Sequence, residues 1–235
     1  LAEGSWDLIA GQFFDRWRKN IHVCKPFKIP YYWKRWCASD WGYAKPWVIL
    51  WFALSPWGQI FIYRQLSELH KTAPDMMALF RKANGTDEMR SRSLDPACWD
   101  DSRGLSIADQ CAAAGISWEK ASNARIDGWT KVRGALDWEK DDSDKLIRPP
   151  ILQVFDTCPT IIRSLPANIH SGTKPEDLDT DGDDHDADAL RYGMMKFSGD
   201  TTIPLSELPA EYAAADVRAR HREKETPTED HSNLE

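Results

Sequence analysis

Long apolar runs and nucleotide-binding glycine loops are missing from this 235-residue sequence. No stretch reaches the 18 or more apolar residues typical of a membrane-spanning helix, and the nearest candidate, 47–62, is interrupted by Ser55-Pro56. We therefore expect no membrane partner. No basic segment followed by an apolar one opens the chain, so we expect no signal peptide. No GxxxxGK[ST] motif occurs, which argues against an ATP-binding loop of that type in these residues.

Cysteine is scarce as well. The five cysteines form no CxxC pair, and their number is odd. This pattern favours buried thiols in a reducing compartment over a disulfide framework or a zinc site.

Charge is distributed unevenly along the chain, whose formal net charge is −7. Residues 1–50 carry eight Lys and Arg against four Asp and Glu, whereas residues 151–235 carry eight against eighteen. The basic end is compatible with a track for a polyanion, and equally with scattered surface charge. As candidate DNA contacts we name Lys34, Arg35 and Lys45.

The sequence begins with Leu1 rather than Met, and we expect a fragment of a longer parent. Residues 1–33, mostly irregular with aromatic anchors, are predicted to be a lead-in segment packed on the domain behind it. Residues 34–198 are predicted to form one domain. Residues 199–235 are polar and Ala-rich, which predicts a frayed helix and then a disordered tail.

Strand and helix patterns alternate within the predicted domain. Segments 34–41, 47–54 and 59–66 read as strands with short connections, which predicts a three-strand antiparallel meander. Further strands are predicted near 91–94, 116–118 and 149–155, and helices over 73–83, 105–114, 123–139, 160–165 and 184–196. The expected fold class is α/β: a mixed sheet, with parallel strands added to the meander, flanked by helices.

Three acids occupy special places in this scheme. Asp40 ends the first strand, Asp95 ends a later strand before Pro96, and Asp188 lies at the start of the last helix. If the two strands are neighbours and the helix docks across their ends, the three carboxylates meet. Carboxylate oxygens hold Mg²⁺ or Mn²⁺. Two such ions about 3.5–4 Å apart can stabilise the attacking and leaving oxygens of a phosphodiester displacement.

Three neighbours of these acids are secondary candidates. Asp184 lies four residues before Asp188 and could ligate the same metal. His185 could bind metal, orient water or phosphate, or simply be an exposed histidine. Gly42 follows Asp40 closely and leaves the backbone open to the approach of a substrate.

The acidic stretch allows two other interpretations. It could be a solvated loop before an ordinary helix. Asp177, Asp179, Asp181 and Gly182, with Asp188 at the twelfth position, also fit the ligand pattern of an EF-hand calcium loop. The residues before Asp177 include Gly172 and Pro175, which oppose the entering helix that an EF-hand needs.

Several of these segments together resemble the C-terminal nuclease domain of the large subunit of tailed-phage terminases. The matching segments are Gly4-Ser5-Trp6 with Phe13-Phe14, Ala38-Ser39-Asp40-Trp41-Gly42, Leu94-Asp95-Pro96-Ala97, and Pro175-Glu176-Asp177-Leu178-Asp179-Thr180 leading to Asp184-His185-Asp186-Ala187-Asp188-Ala189-Leu190-Arg191-Tyr192.

The resemblance implies an RNase H-like fold and a divalent-metal endonuclease that cuts concatemeric viral DNA during packaging. It implies Asp40, Asp95 and Asp188 as catalytic metal ligands and His185 as a helper. The implied partners are double-stranded DNA, an ATPase domain preceding this chain, and the small terminase subunit and portal. The implied location is the host cytoplasm, outside the mature virion. The competing hypothesis is a DNA-binding or portal-docking module whose acids are structural.

Overall fold

Eight consecutive apolar residues, Trp47–Leu54, form the central antiparallel strand of a seven-stranded sheet. The structure is a computed structural model that describes residues 11–102, 104–180 and 182–196. The strands are β1 (Val23–Cys24), β2 (Lys34–Asp40), β3 (Trp47–Leu54), β4 (Ile60–Glu68), β5 (Arg92–Leu94), β6 (Glu119–Lys120), β7 (Glu139–Lys140), β8 (Leu146–Arg148) and β9 (Leu152–Phe155). The helices are α1 (Lys19–His22), α2 (Ala73–Asn84), α3 (Ile107–Ala113), α4 (Arg125–Ala135), α5 (Pro159–Ser164) and α6 (His185–Lys196), with 3₁₀ turns at Pro96–Trp99 and Leu165–Ala167.

The sheet order is β1-β9-β4-β3-β2-β5-β6. β3 is antiparallel to both of its neighbours, and the other pairings within this sheet are parallel. The predicted meander of β2, β3 and β4 and the predicted addition of parallel strands are therefore confirmed. β7 and β8 form a separate hairpin.

Both faces of β3 are buried, which explains its unbroken apolar sequence. Trp47, Ile49 and Trp51 face a cluster that contains α2 residues. Val48, Leu50 and Phe52 face the other cluster, to which α4 and α6 contribute. The helices thus form a layer on each side of the sheet.

Helix α6 approaches the sheet closely because Gly193 lacks a side chain. A Cβ at Gly193 would lie 2.2 Å from Cζ of Phe52. The Phe52 ring stacks on Trp36, with centroids 5.3 Å apart, and the Trp36 indole donates a 3.0 Å hydrogen bond to the Gly193 carbonyl. This contact fixes the height of α6 above β2 and β3.

The structure refines the sequence predictions at its short elements. In the lead-in segment, predicted to be mostly irregular, Lys19–His22 is helical and Val23–Cys24 pairs with β9 in the main sheet. The strand predicted at 116–118 lies at Glu119–Lys120, where the backbone reaches β5. Helix α4 begins at Arg125 and ends at Ala135, and is therefore shorter than the predicted helix over 123–139.

Some predictions concern residues that the structure does not describe. Gly4-Ser5-Trp6 and the tail 199–235 lie outside the described residues. None of the helices in the described part of the chain is both long and apolar enough to cross a membrane.

Candidate metal centre

Two of the predicted acids meet at one edge of the sheet. β2 and β5 are parallel neighbours in a register that pairs Ser39 with Leu94, so Asp40 and Asp95 end adjacent strands side by side. The Asp95 amide also donates a 3.0 Å hydrogen bond to the Ser39 carbonyl. The carboxyl ends of parallel strands are where such sheets place their ligands.

Helix α6 brings the third acid to the same edge. Asp188 is 8% exposed. One turn further along α6, the Tyr192 hydroxyl donates a 3.3 Å hydrogen bond to Oδ1 of Asp95, whose carboxylate also caps the following 3₁₀ turn by accepting from the Ala97 amide. Asp95 therefore caps a turn and also belongs to the acid cluster, by which we mean Asp40, Asp95 and Asp188.

The ionisation of Asp40 and Asp95 is affected by burial and by the charges around them. Burial is the main reason why the pKa of Asp40 is raised to about 7; a hydrogen bond from His185 opposes the rise, and the charges of Asp188 and Asp95 add to it. Burial also raises the pKa of Asp95, with a smaller contribution from Asp188. Like charges close together in a poorly solvated site resist ionisation, and a cation among them would relieve that repulsion.

His185 holds Asp40 directly. Its Nδ1 lies 2.5 Å from Oδ2 of Asp40, and this hydrogen bond raises the pKa of the imidazole. The pair can share one proton, so that a positive charge on His185 partly balances the carboxylate. Here His185 supports an acid through its ring nitrogen; it is not a free surface histidine.

Asp188 is held by two arginines that the sequence predictions did not single out. Nη1 of Arg125, on α4, lies 3.0 Å from both carboxylate oxygens. Nε and Nη2 of Arg191, one helical turn away on α6, each lie 2.8 Å from Oδ1. Arg191 belongs to the stretch already recognised, but nothing local in the sequence connects Arg125 with Asp188, 63 residues later.

Two further acids precede Asp188, Asp186 within α6 and Asp184 directly before the helix, and they behave differently. Burial and the charge of Asp188 raise the pKa of Asp184, which keeps it a candidate ligand. Asp186 points away from the cluster, into a buried polar site where Ser164, Thr160 and Gln65 donate to its carboxylate at 2.5–3.1 Å. Burial raises the pKa of Asp186 to about 6.

Gly42 also has an explanation within the chain itself. A Cβ at Gly42 would lie 2.5 Å from the Lys45 carbonyl oxygen and 2.7 Å from that of Pro46. The chain's own turn into β3 therefore already requires glycine at this position, and the approach of a substrate beside Gly42 stays a prediction.

The candidate DNA contacts are not equivalent. Lys45 is exposed, and its Nζ donates a 3.1 Å hydrogen bond to the carbonyl of Gly182, in the loop that precedes α6. Lys34 is partly exposed at the opposite end of β2 from Asp40. The Arg35 side chain is only 11% exposed and is bound to Asp87 and to the carbonyls of Ile29 and Pro30, so it does not face solvent as a phosphate contact would.

The donor set fits a hard divalent cation, because its members are carboxylate oxygens. Among the described residues, no group of three His, Cys, Asp or Glu side chains is close enough together to hold a metal ion.

The calcium-loop interpretation gains no support from the geometry. In the described part of the chain, no helix lies between the 3₁₀ turn at Leu165–Ala167 and Asp177, where an EF-hand would have its entering helix. Oδ1 of Asp177 accepts from Nε of Arg125 and from the Trp129 indole, each at 2.7 Å, and from the Leu178 amide at 2.8 Å. Protein donors therefore occupy the oxygen that a calcium loop would offer to its ion.

Comparisons with known proteins give a consistent fold. No protein-family model and no curated protein matches the sequence. Among solved structures, the P22 large terminase nuclease domain matches with a TM-score of 0.64 and 17% identity over 80% of this chain and 92% of that one. The large terminase nuclease of the thermophilic phage G20c, with bound magnesium, matches with a TM-score of 0.54 and 12% identity over 81% and 100%.

A large terminase from a second thermophilic bacteriophage matches with a TM-score of 0.64 and 19% identity, and this chain spans 44% of its length. The chain thus has the RNase H-like fold of large terminase nuclease domains, which confirms the expected fold class. At these identities the likeness defines the fold alone.

Proposed function

We propose that this chain is a divalent-metal-dependent endonuclease that cuts viral DNA concatemers during genome packaging. The observation that carries the proposal is the convergence of Asp40, Asp95 and Asp188 from two adjacent strand ends and one helix, with a pKa of about 7 for Asp40. A buried group of carboxyls that repel one another is costly in a purely structural role, and it marks a functional site. The G20c nuclease, solved with magnesium and with cobalt, supports a metal in this fold.

In this proposal Asp40, Asp95 and Asp188 hold the metal, with Asp184 as a further ligand, and we propose two Mg²⁺ or Mn²⁺ ions. When bound, such ions supply positive charge for the attacking and leaving oxygens of an in-line displacement and lower the pKa of a bound water. The chain's own residues then orient the ligands. His185 fixes Asp40 at 2.5 Å and can take up the proton that the carboxyl releases, and Tyr192 orients Asp95.

DNA would approach over the loop between β2 and β3. Lys45 is exposed there and can contact a phosphate, and we propose Lys34 as a more distant contact. Arg35 is left out of this set because Asp87 and two backbone carbonyls occupy its guanidinium. Phosphate contacts carry no base information, so the isolated domain should cut with little sequence preference.

The test is plasmid digestion with Mn²⁺, Mg²⁺, Ca²⁺ or EDTA, comparing the parent with Asp40→Asn. Asp156→Asn is the matched control, since Asp156 pairs with Lys25 on the surface, away from the cluster. The proposal predicts cutting with Mn²⁺ or Mg²⁺ by the parent and the control, and none by Asp40→Asn. Equal cutting by Asp40→Asn and the parent would refute it.

One observation favours the alternative, a non-catalytic DNA-binding or portal-docking module. Asp188 and Asp95 both have protein partners that could give them a purely structural role. Asp188 is bound by two arginines, and Asp95 accepts hydrogen bonds from a turn amide and from Tyr192. This alternative predicts salt-sensitive DNA binding without cleavage in any divalent ion. Calorimetric titration of Mn²⁺ separates the two, because structural acids need not bind metal.

The remaining partners are proposed from the size of the related chains. The large terminase of which this chain spans 44% is more than twice as long as the region matched here, and it was also solved with ADP. We propose that an ATPase domain belongs to the same parent protein, with residues 1–33 as the connection and residues 199–235 as a polar tail. The small terminase subunit and the portal are proposed partners in the host cytoplasm.

A further inference from the structure

We propose that Arg125 is a latch that competes with the divalent cation for Asp188 and so lowers the metal affinity of the site. This inference rests on the proposed function. Nη1 of Arg125 lies 3.0 Å from both oxygens of Asp188, which are the atoms a metal ligand must offer. The positive guanidinium beside these oxygens repels a divalent cation and takes lone pairs that the cation would use, so metal binding is favoured when Arg125 withdraws from at least one oxygen.

Arg191 is not equivalent to Arg125. Its side chain is 1% exposed, it reaches Asp188 from the same helix, and Oδ1 alone receives its bonds. It can therefore stay in place while Oδ2 binds a cation. Arg125 is 24% exposed, approaches from another helix, and is the arginine that covers Oδ2.

Arg125 makes several contacts, but one of its hydrogen-bond donors has no partner. Its Nε donates at 2.7 Å to Asp177 in the loop before α6, and its guanidinium lies 5.2 Å from the Trp129 ring centroid. Its Nη2 is buried with no hydrogen-bond partner. A buried donor without a partner is unfavourable. The free energy lost when Arg125 moves towards solvent is therefore smaller than its contacts alone suggest.

The latch links the metal site to the Asp177 loop. Because Arg125 bridges Asp177 and Asp188, any movement of that loop changes how firmly Asp188 is held. By linkage, the amount by which Arg125 stabilises the metal-free protein more than the metal-bound protein equals the binding free energy that it removes from the metal.

The test measures Mn²⁺ binding by calorimetry and urea unfolding in EDTA and in saturating Mn²⁺. Arg125→Met removes the latch, and Arg125→Lys keeps the charge but cannot hold two oxygens and Asp177 together. Arg64→Met is the matched control, since Arg64 makes a 2.8 Å ion pair with Asp87 and is 33% exposed. Asp40→Asn establishes whether the Mn²⁺ measured is bound at the acid cluster.

We expect both Arg125 variants to bind Mn²⁺ about tenfold more tightly than the parent, which corresponds to ~1.4 kcal/mol. Arg125→Met should lose more stability relative to the parent in EDTA than in saturating Mn²⁺, whereas Arg64→Met should lose the same amount in both. Unchanged or weaker Mn²⁺ binding by both Arg125 variants would overturn the latch and leave the nuclease proposal standing. Parent Mn²⁺ binding that Asp40→Asn does not weaken would overturn the metal site, and the latch with it.

Discussion

Replacing Gly193 by alanine would place a methyl group against the ring of Phe52. The added Cβ would lie 2.2 Å from Cζ and 2.4 Å from Cε2. Phe52 is fully buried and stacks on Trp36 at an interplanar angle of 8°, so the ring has no space to withdraw. Helix α6 must therefore move away from the sheet, and Asp188 moves with it.

The expected size of the effect combines two opposing contributions. Overpacking a well-filled core costs about 1–3 kcal/mol, and a contact this short belongs at the upper end. Alanine is favoured over glycine inside a helix by about 1 kcal/mol. The net prediction for Gly193→Ala is a loss of about 2 kcal/mol in the free energy of unfolding.

Gly134→Ala is the matched control. Gly134 lies within α4 with nothing within 4 Å of its added Cβ, so this variant should gain about 1 kcal/mol. The two variants should then differ by about 3 kcal/mol in urea unfolding. The close-packing account of α6 would be refuted if Gly193→Ala were as stable as Gly134→Ala.

Three further predictions concern the site and its supports. Gly42→Ala should lower the free energy of unfolding without DNA or metal, because its Cβ meets the Lys45 carbonyl; unchanged stability with reduced cutting would instead favour substrate approach. Asp186→Ala should lose about 1–3 kcal/mol in urea unfolding by removing the carboxylate that accepts from Ser164, Thr160 and Gln65, and full stability would contradict this. Burial raises the pKa of Asp40 from 3.8 to about 7, so the folded protein binds this proton more tightly than the unfolded chain. The resulting stabilisation is complete below about pH 4 and is lost as the pH rises through 7. Unfolding in EDTA at pH 5 and 8 should show this loss in the parent, and Asp40→Asn should reduce it.

The elements with the clearest local signals were predicted well. The run 47–54 coincides with β3 because a strand buried on both faces must be apolar throughout. The last helix was predicted within one residue of its start at His185. The short strands β1 and β6 were missed or displaced, since two residues carry no periodicity and their pairing depends on distant partners, Val154–Phe155 and Ser93–Leu94.

The site was predictable in part, for the same reason. The adjacency of Asp40 and Asp95 followed once β2 and β5 were assumed to be neighbours, and the assumption is correct. Arg125 could not be foreseen, because its contact with Asp188 is created by the packing of α4 on α6. The contacts around Gly42 were equally beyond the sequence, because the atoms nearest to its added Cβ, the Lys45 and Pro46 carbonyl oxygens, belong to the following turn.

The most direct test of the central claim is an anomalous difference map from crystals soaked in Mn²⁺. The account predicts density bounded by the carboxylates of Asp40, Asp95 and Asp188, with Arg125 withdrawn from at least one oxygen of Asp188. Anomalous density confined to the Asp177–Gly182 loop, or none in crystals whose acid cluster is open to solvent, would contradict it.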